Sequence, residues 1–290
     1  MIDHVGRGRA DQQAKADARL LSLVTMIFSI APAIAPILGG WIVKLLDWRS
    51  IFIFLFFYTA LLLWYCYRNL PETLPPEKRQ PFNPHYLWTS YRSVFRSQLF
   101  HLEAGTVAFN FAGLFLYVAA APVFITQHLG LGADQFAWQF VPSVAGIFLG
   151  ALAVNRLAGR TSIQQQARIG VCLLIGAAAF NVVFHLLRPP SLPWSVLPLF
   201  FYTFGMSMVS PGATLLVLDL FPDIRGIVAS CQSCAMTVLA SAVSGLLAPV
   251  LWDSVLYLAA GQLALTSVGL CLWLRAGRVR RQIAHDQPAA

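Results

Sequence analysis

Charge is scarce in this sequence. Of its 290 residues only 11% are Asp, Glu, Lys or Arg, whereas soluble domains carry about 25%. A chain with so few solvated groups cannot cover a folded surface in water. Its 58% hydrophobic content and mean hydropathy of +0.66 point the same way. A soluble enzyme or binding domain is therefore excluded, and so is a disordered chain, which needs low hydrophobicity. Cysteine is sparse as well, and its odd count of 5 excludes a disulfide-stapled secreted module. The 20 Gly and 17 Pro follow no period, which excludes a collagen. There is no Gly-rich phosphate loop, no Gly-x-Ser-x-Gly elbow, no His cluster with metal-ligand spacing and no Ser/His/Asp set that periodicity would bring together. These absences predict a protein that is not an enzyme and holds no metal or cofactor.

What the chain does have is long apolar runs. A helix crosses about 30 Å of hydrocarbon in roughly 20 residues, and eight runs of that order stand between the charges: Leu20 to Val43, Ser50 to Tyr67, Leu102 to Ile125, Phe136 to Val154, Ile169 to Leu187, Trp194 to Leu218, Gly226 to Leu251 and Ser254 to Leu274. Backbone groups in lipid must be satisfied within their own segment, so each run is read as a helix. The sequence thus predicts an all-α, polytopic membrane bundle of eight transmembrane helices.

The net charge of +8 is explained by topology rather than by nucleic acid. Placed on this alternation, 17 of the 20 Lys and Arg fall on one side, leaving only Lys44, Arg49 and Arg188 on the other. Excess Lys and Arg marks the cytoplasmic side. The expectation is a multi-pass membrane protein with both termini cytoplasmic and the bilayer as its solvent. The first run is too long for a signal-peptide core and has no small-residue cleavage site after it, so it is read as a span. The cysteines, including the Cys231-Gln232-Ser233-Cys234 spacing, fall inside runs and are read as packing residues.

One hydrophilic stretch interrupts the pattern. Arg68 to Phe100 carries Pro71, Pro75, Pro76, Pro81 and Pro84 and is expected to be an extended, partly stiff connector. It divides residues 1–69, with a tail and two helices, from a six-helix bundle over 101–274 that ends in a tail, 275–290; the linker itself is 70–100. Two helices followed by six is what a six-plus-six transporter would show if its first four helices were absent.

Several motifs carry a family resemblance. The run Ala31-Pro32-Ala33-Ile34-Ala35-Pro36-Ile37-Leu38-Gly39-Gly40 resembles the antiporter motif on the fifth helix of major facilitator superfamily drug exporters. There Pro32 and Pro36 would bend the helix, while Gly39 and Gly40 would admit a close neighbour. Leu116-Tyr117-Val118-Ala119-Ala120-Ala121-Pro122-Val123-Phe124, with Leu129-Gly130-Leu131 and Gln135-Phe136 after it, is similar to the seventh helix and following loop of the bicyclomycin-resistance (Bcr/CflA) drug-efflux family. Leu70-Pro71-Glu72-Thr73-Leu74 is similar to that family's exit from helix six, and Phe221-Pro222 with Gly226, Ala229 and Ser230 to its entry to helix eleven. On this alignment the chain begins after helix four and corresponds to the last eight helices of the fold. The intramembrane Arg that such antiporters carry on helix four has no counterpart.

Ionisable groups within spans cost at least about 2.5 kcal/mol at the bilayer centre, so the one acidic candidate is informative. Glu103 is followed by Asn110 and Tyr117 at steps of seven, which places the three on one helix face, with Thr106 and Gly113 widening the stripe. Either this face lines a cavity, offering hydrogen bonds and a proton site, or Glu103 lies at headgroup level and Asn110 bonds a neighbouring helix. Two further stripes, Thr203, Ser207, Ser210 and Thr214, and Ser230, Thr237 and Ser244 with Cys234 and Ser241 interleaved, are expected to serve close helix packing, as is the Gly146/Gly150 pair. The resemblance implies a secondary transporter that exports amphipathic drug-like solutes, with the proton as possible coupling ion. The alternative is a truncated, non-transporting remnant of such a transporter. Oligomeric state is not legible.

Overall fold

A computed structural model describes residues 34–35, 38–43, 45–71, 83–132, 135–157 and 160–286. Eight helices of eight residues or more lie among them: α1 Trp48–Asn69, α2 Pro84–Arg96, α3 Gln98–Val123, α4 Ala137–Leu157, α5 Ile163–Leu187, α6 Leu197–Asp219, α7 Arg225–Ala242 and α8 Val255–Asp286. All but α2, with the short continuations of α3 and α7, are long and apolar enough to cross a membrane, giving seven such helices among the described residues. The expected first span lies mostly outside those residues, although 38–43 are helical.

The starts of several helices are written in the sequence. Ser162 and Gln165 form a reciprocal capping box at α5, satisfying two orphan amides at once. The Ser97 hydroxyl accepts from the Phe100 amide at 3.2 Å to begin α3. At α2 the Asn83 side chain accepts from the His85 amide at 2.9 Å, and Pro84 takes the first helical position, where its missing N–H costs nothing. This last element corrects the expectation of an extended connector: residues 84–96 are a helix. Val94 and Ser90 are its buried positions, four residues apart on one face, so α2 is amphipathic. Val94 packs with Phe100, Val217 and Val228.

α3 is the centre of the bundle, with 16 of its 26 residues buried. It packs against α6, α7 and α8, while α6 packs against α4 and α5, and α5 against α8. Backbones come very close where glycines meet: a Cβ on Gly170 of α5 would stand 2.7 Å from the Gly205 carbonyl of α6, and one on Gly150 of α4 would stand 2.5 Å from that of Phe204. Gly146 likewise faces Phe200 and Thr203, so the pair Gly146/Gly150 and Thr203 do serve packing. In contrast, α1 buries none of its residues and has no extensive packing against the other described helices. Its all-round apolar surface suits lipid and protein neighbours alike.

Both α3 and α7 end in a π turn, at Phe124–His128 and Val243–Leu247. Pro122 stands just ahead of the first turn and Pro249 just after the second. A proline removes a ladder bond, and a wide turn is one way for the chain to absorb the loss.

Candidate functional site

Glu103, Asn110 and Tyr117 do share one face of α3, and all three are no more than 2% exposed. That face is turned into the bundle, and at its Glu103 end it borders a small cleft shared with Ile163, Gln164, Trp273 and Arg280. A spacing of seven fixes a common face but not which neighbour covers it. Here α8 lies opposite Glu103 and Asn110, with α5 reaching in at Tyr117.

Each of the three meets a different partner. The Glu103 Oε1 atom is 3.3 Å from Nε of Arg280 on α8. This is an ion-pair distance, but neither carboxylate oxygen makes a hydrogen bond, because the guanidinium N–H is not aimed along the contact. The Asn110 side chain packs over Gly269 of α8, where a Cβ would come 2.8 Å from Oδ1. The Asn110 carbonyl accepts from the Tyr202 hydroxyl of α6 at 2.8 Å. The Tyr117 hydroxyl accepts from Asn181 Nδ2 of α5 at 2.7 Å, and its carbonyl accepts from Gln139 Nε2 of α4 at the same distance.

These contacts belong to one buried network. Asn181 Nδ2 also lies 3.4 Å from Gln262 Oε1 of α8, whose Nε2 approaches the Gly113 carbonyl at 3.4 Å. The Thr266 hydroxyl lies 2.7 Å from the Gln262 carbonyl and 3.2 Å from the Tyr202 hydroxyl, one proton serving both. Gly113 has no side chain, which is what lets the Tyr202 ring approach α3; a Cβ there would collide with its hydroxyl. The network thus ties α3 to α4, α5, α6 and α8. Three acceptors in it, Asn110 Oδ1, Gln139 Oε1 and Asn181 Oδ1, have no partner, so the interior holds unspent acceptor capacity at its centre.

Sequence reasoning missed Gln139, Asn181, Tyr202, Gln262 and Thr266. A search for ionisable groups passes over them, although an amide within an apolar run is itself a signal, since lipid offers it no bonds. Arg280 was assigned to the tail, yet α8 continues through it. The α7 stripe corrects a second expectation: Ser230, Cys234, Thr237 and Ser241 are exposed rather than packed. The Ser230 hydroxyl bonds the Gly226 carbonyl of its own helix at 3.0 Å, so it needs no neighbour. Pro32 and Pro36 of the antiporter-like motif lie outside the described residues. Gly39 is helical, and a Cβ there would meet no atom of another described residue within 4 Å; Gly40 is helical too.

Removing the Tyr202 hydroxyl tests the network. Tyr202→Phe is expected to lower stability by about 1 kcal/mol, the range of interhelical hydrogen bonds in membranes. Chemical unfolding of the chain in detergent checks this, and an unchanged midpoint would remove the network from the list of stabilising features.

A profile of the Major Facilitator Superfamily matches residues 13–235. The multidrug resistance protein MdtM of Salmonella typhimurium is 29% identical over 222 residues, covering 77% of this chain and 53% of its own length. The multidrug transporter MdfA of Yersinia pestis is 26% identical over 204 residues, covering 69% and 49%. A bicyclomycin resistance protein homolog of Haemophilus influenzae is 22% identical over 209 residues, covering 72% and 52%. The chain therefore spans about half the length of these relatives. With that profile covering most of its length, and in keeping with the motifs around Tyr117 and Pro222, the chain belongs to the major facilitator superfamily.

Proposed function

We propose that this chain is a large part of a secondary transporter that exports amphipathic drug-like solutes across the bacterial inner membrane in exchange for protons, with both termini cytoplasmic. The observation that carries the reading is the six-helix bundle α3–α8, whose polar contacts are internal. It is a self-supporting half that can move as a unit against another, as transporters of this architecture do around a midplane site. The names of the relatives support the substrate class. The exposed hydroxyls on α7 are the polar surface that a facing half would cover.

In this reading Glu103, Asn110 and Tyr117 support the half rather than touch the solute. Glu103 is the one buried carboxylate among the described residues, and its ion pair with Arg280 makes it a clasp between α3 and α8. Proton exchange then falls to groups outside this bundle.

Export of a fluorescent lipophilic dye from a pump-deficient host tests the proposal. The comparison is between this chain alone and the same chain joined behind the first four helices of the Salmonella relative. The joined form is expected to lower dye accumulation several-fold in a manner abolished by a protonophore. Equal lack of export by both would overturn the reading and leave the non-transporting remnant.

A further inference from the structure

The arginine-rich end of the bundle holds a crevice that the transport reading does not use. It has a volume of about 420 Å³ and lies between the first turns of α5 and the last turns of α8. Gln164 and Arg168 line it from α5, and Trp273, Leu274, Gly277, Arg278, Arg280 and Arg281 line it from α8. The described residues contain three ion pairs, Asp47–Arg49, Asp219–Arg225 and Glu103–Arg280. Among those residues Arg168, Arg278 and Arg281 thus have no acidic partner, and three like charges converge on one opening.

Such convergence is unfavourable unless an anion occupies it. The amides at the start of α5 add to the positive field, since a helix N-terminus carries about half a unit charge. Guanidinium groups match phosphate oxygens in pairs. The apolar part of the lining identifies the source of the phosphate. Leu274 is 46% exposed, and α5 presents Ile169 and Phe180 outward at 47% and 46% exposure. A free anion has no use for these surfaces, whereas a lipid puts its headgroup in the crevice and its chains along them.

We propose that this crevice binds the headgroup of an anionic phospholipid, its phosphate held by Arg168, Arg278 and Arg281. Arg280 is left to Glu103. Basic pockets between transmembrane helices on the cytoplasmic side are a physically favourable place for such headgroups. The inference stands independently of what the protein transports.

The full chain in a non-ionic detergent is titrated with phosphatidylglycerol, with phosphatidylcholine and with inorganic phosphate, and bound lipid is counted by native mass spectrometry. Phosphatidylglycerol is expected to bind at least tenfold more tightly than phosphatidylcholine. The triple variant R168Q/R278Q/R281Q should weaken this at least tenfold. So should Gly277→Leu, which keeps every charge and fills the crevice from a position with no atoms within 4 Å of the added Cβ. The variant R92Q/R96Q/R275Q, which removes as many charges elsewhere, should stay within twofold of the parent. Undiminished binding by both crevice variants would overturn the proposal. So would equal loss in the control, which would assign binding to net charge, or displacement by millimolar inorganic phosphate, which would make this a free-anion site.

Discussion

Replacing Arg280 by alanine is expected to destabilise the bundle by about 3 kcal/mol, because it leaves a carboxylate buried without its counter-charge. Glu103 is 1% exposed and Arg280 22%, and this difference sets the order of effects. When Glu103→Gln removes the acid, the guanidinium can extend to water along its aliphatic stem, and the loss should be about 1 kcal/mol. When Arg280→Ala removes the base, the carboxylate has nowhere to go. The double variant E103Q/R280A should therefore be more stable than R280A alone, a non-additivity that neighbours in contact show and distant residues do not. Thermal unfolding in detergent, followed by the fraction remaining monodisperse, reads all four proteins. If R280A melts with the parent, or if E103Q fails to rescue it, the pair is not the clasp described.

Gly205→Ala is expected to be at least as damaging, although it adds one methyl group. Its Cβ would stand 2.6 Å from the Gly170 carbonyl and 3.0 Å from the Leu174 amide nitrogen. Both obstacles are backbone, so no side chain can turn aside and α5 and α6 must move apart. Overpacking costs about 1–3 kcal/mol where side chains can adjust, and this site lies at or above the top of that range. Gly176→Ala on α5 provides the contrast, because a Cβ there meets nothing within 4 Å. Alanine is the better helix former, so that variant should be neutral or slightly stabilising. Equal melting temperatures for G205A and G176A would show that the α5–α6 contact is looser than the backbone distances state.

The spans were legible because hydrocarbon imposes length and apolarity together, and few alternatives satisfy both. Their ends were less so. The expected third run begins at Leu102, but Ser97 caps α3 five residues earlier, and the α8 run extends well past Leu274. Apolarity marks where lipid begins, not where helix ends. Pro84 was read as one of several stiffening prolines, yet behind Asn83 it starts a helix. In the site, the shared face of Glu103, Asn110 and Tyr117 followed from spacing alone. Its direction did not, since that depends on the bulk of distant residues, such as Gly269 opposite Asn110. The α7 stripe shows the reverse error: small polar residues at helical spacing permit packing but do not require it, and the Ser230 hydroxyl is satisfied by the Gly226 carbonyl of its own helix.

The length of α8 has a consequence for depth. Its 32 residues make a rod of about 48 Å at 1.5 Å per residue, against about 30 Å of hydrocarbon. If its start at Val255 marks one boundary, the other falls after about 20 residues, beside Trp273, and the last turns protrude into water. Arg280 then rides above the boundary, and Glu103, only five residues into α3, meets it there. A thicker or thinner bilayer would move that boundary along the last turns of α8, while the protein around Glu103 keeps its carboxylate covered.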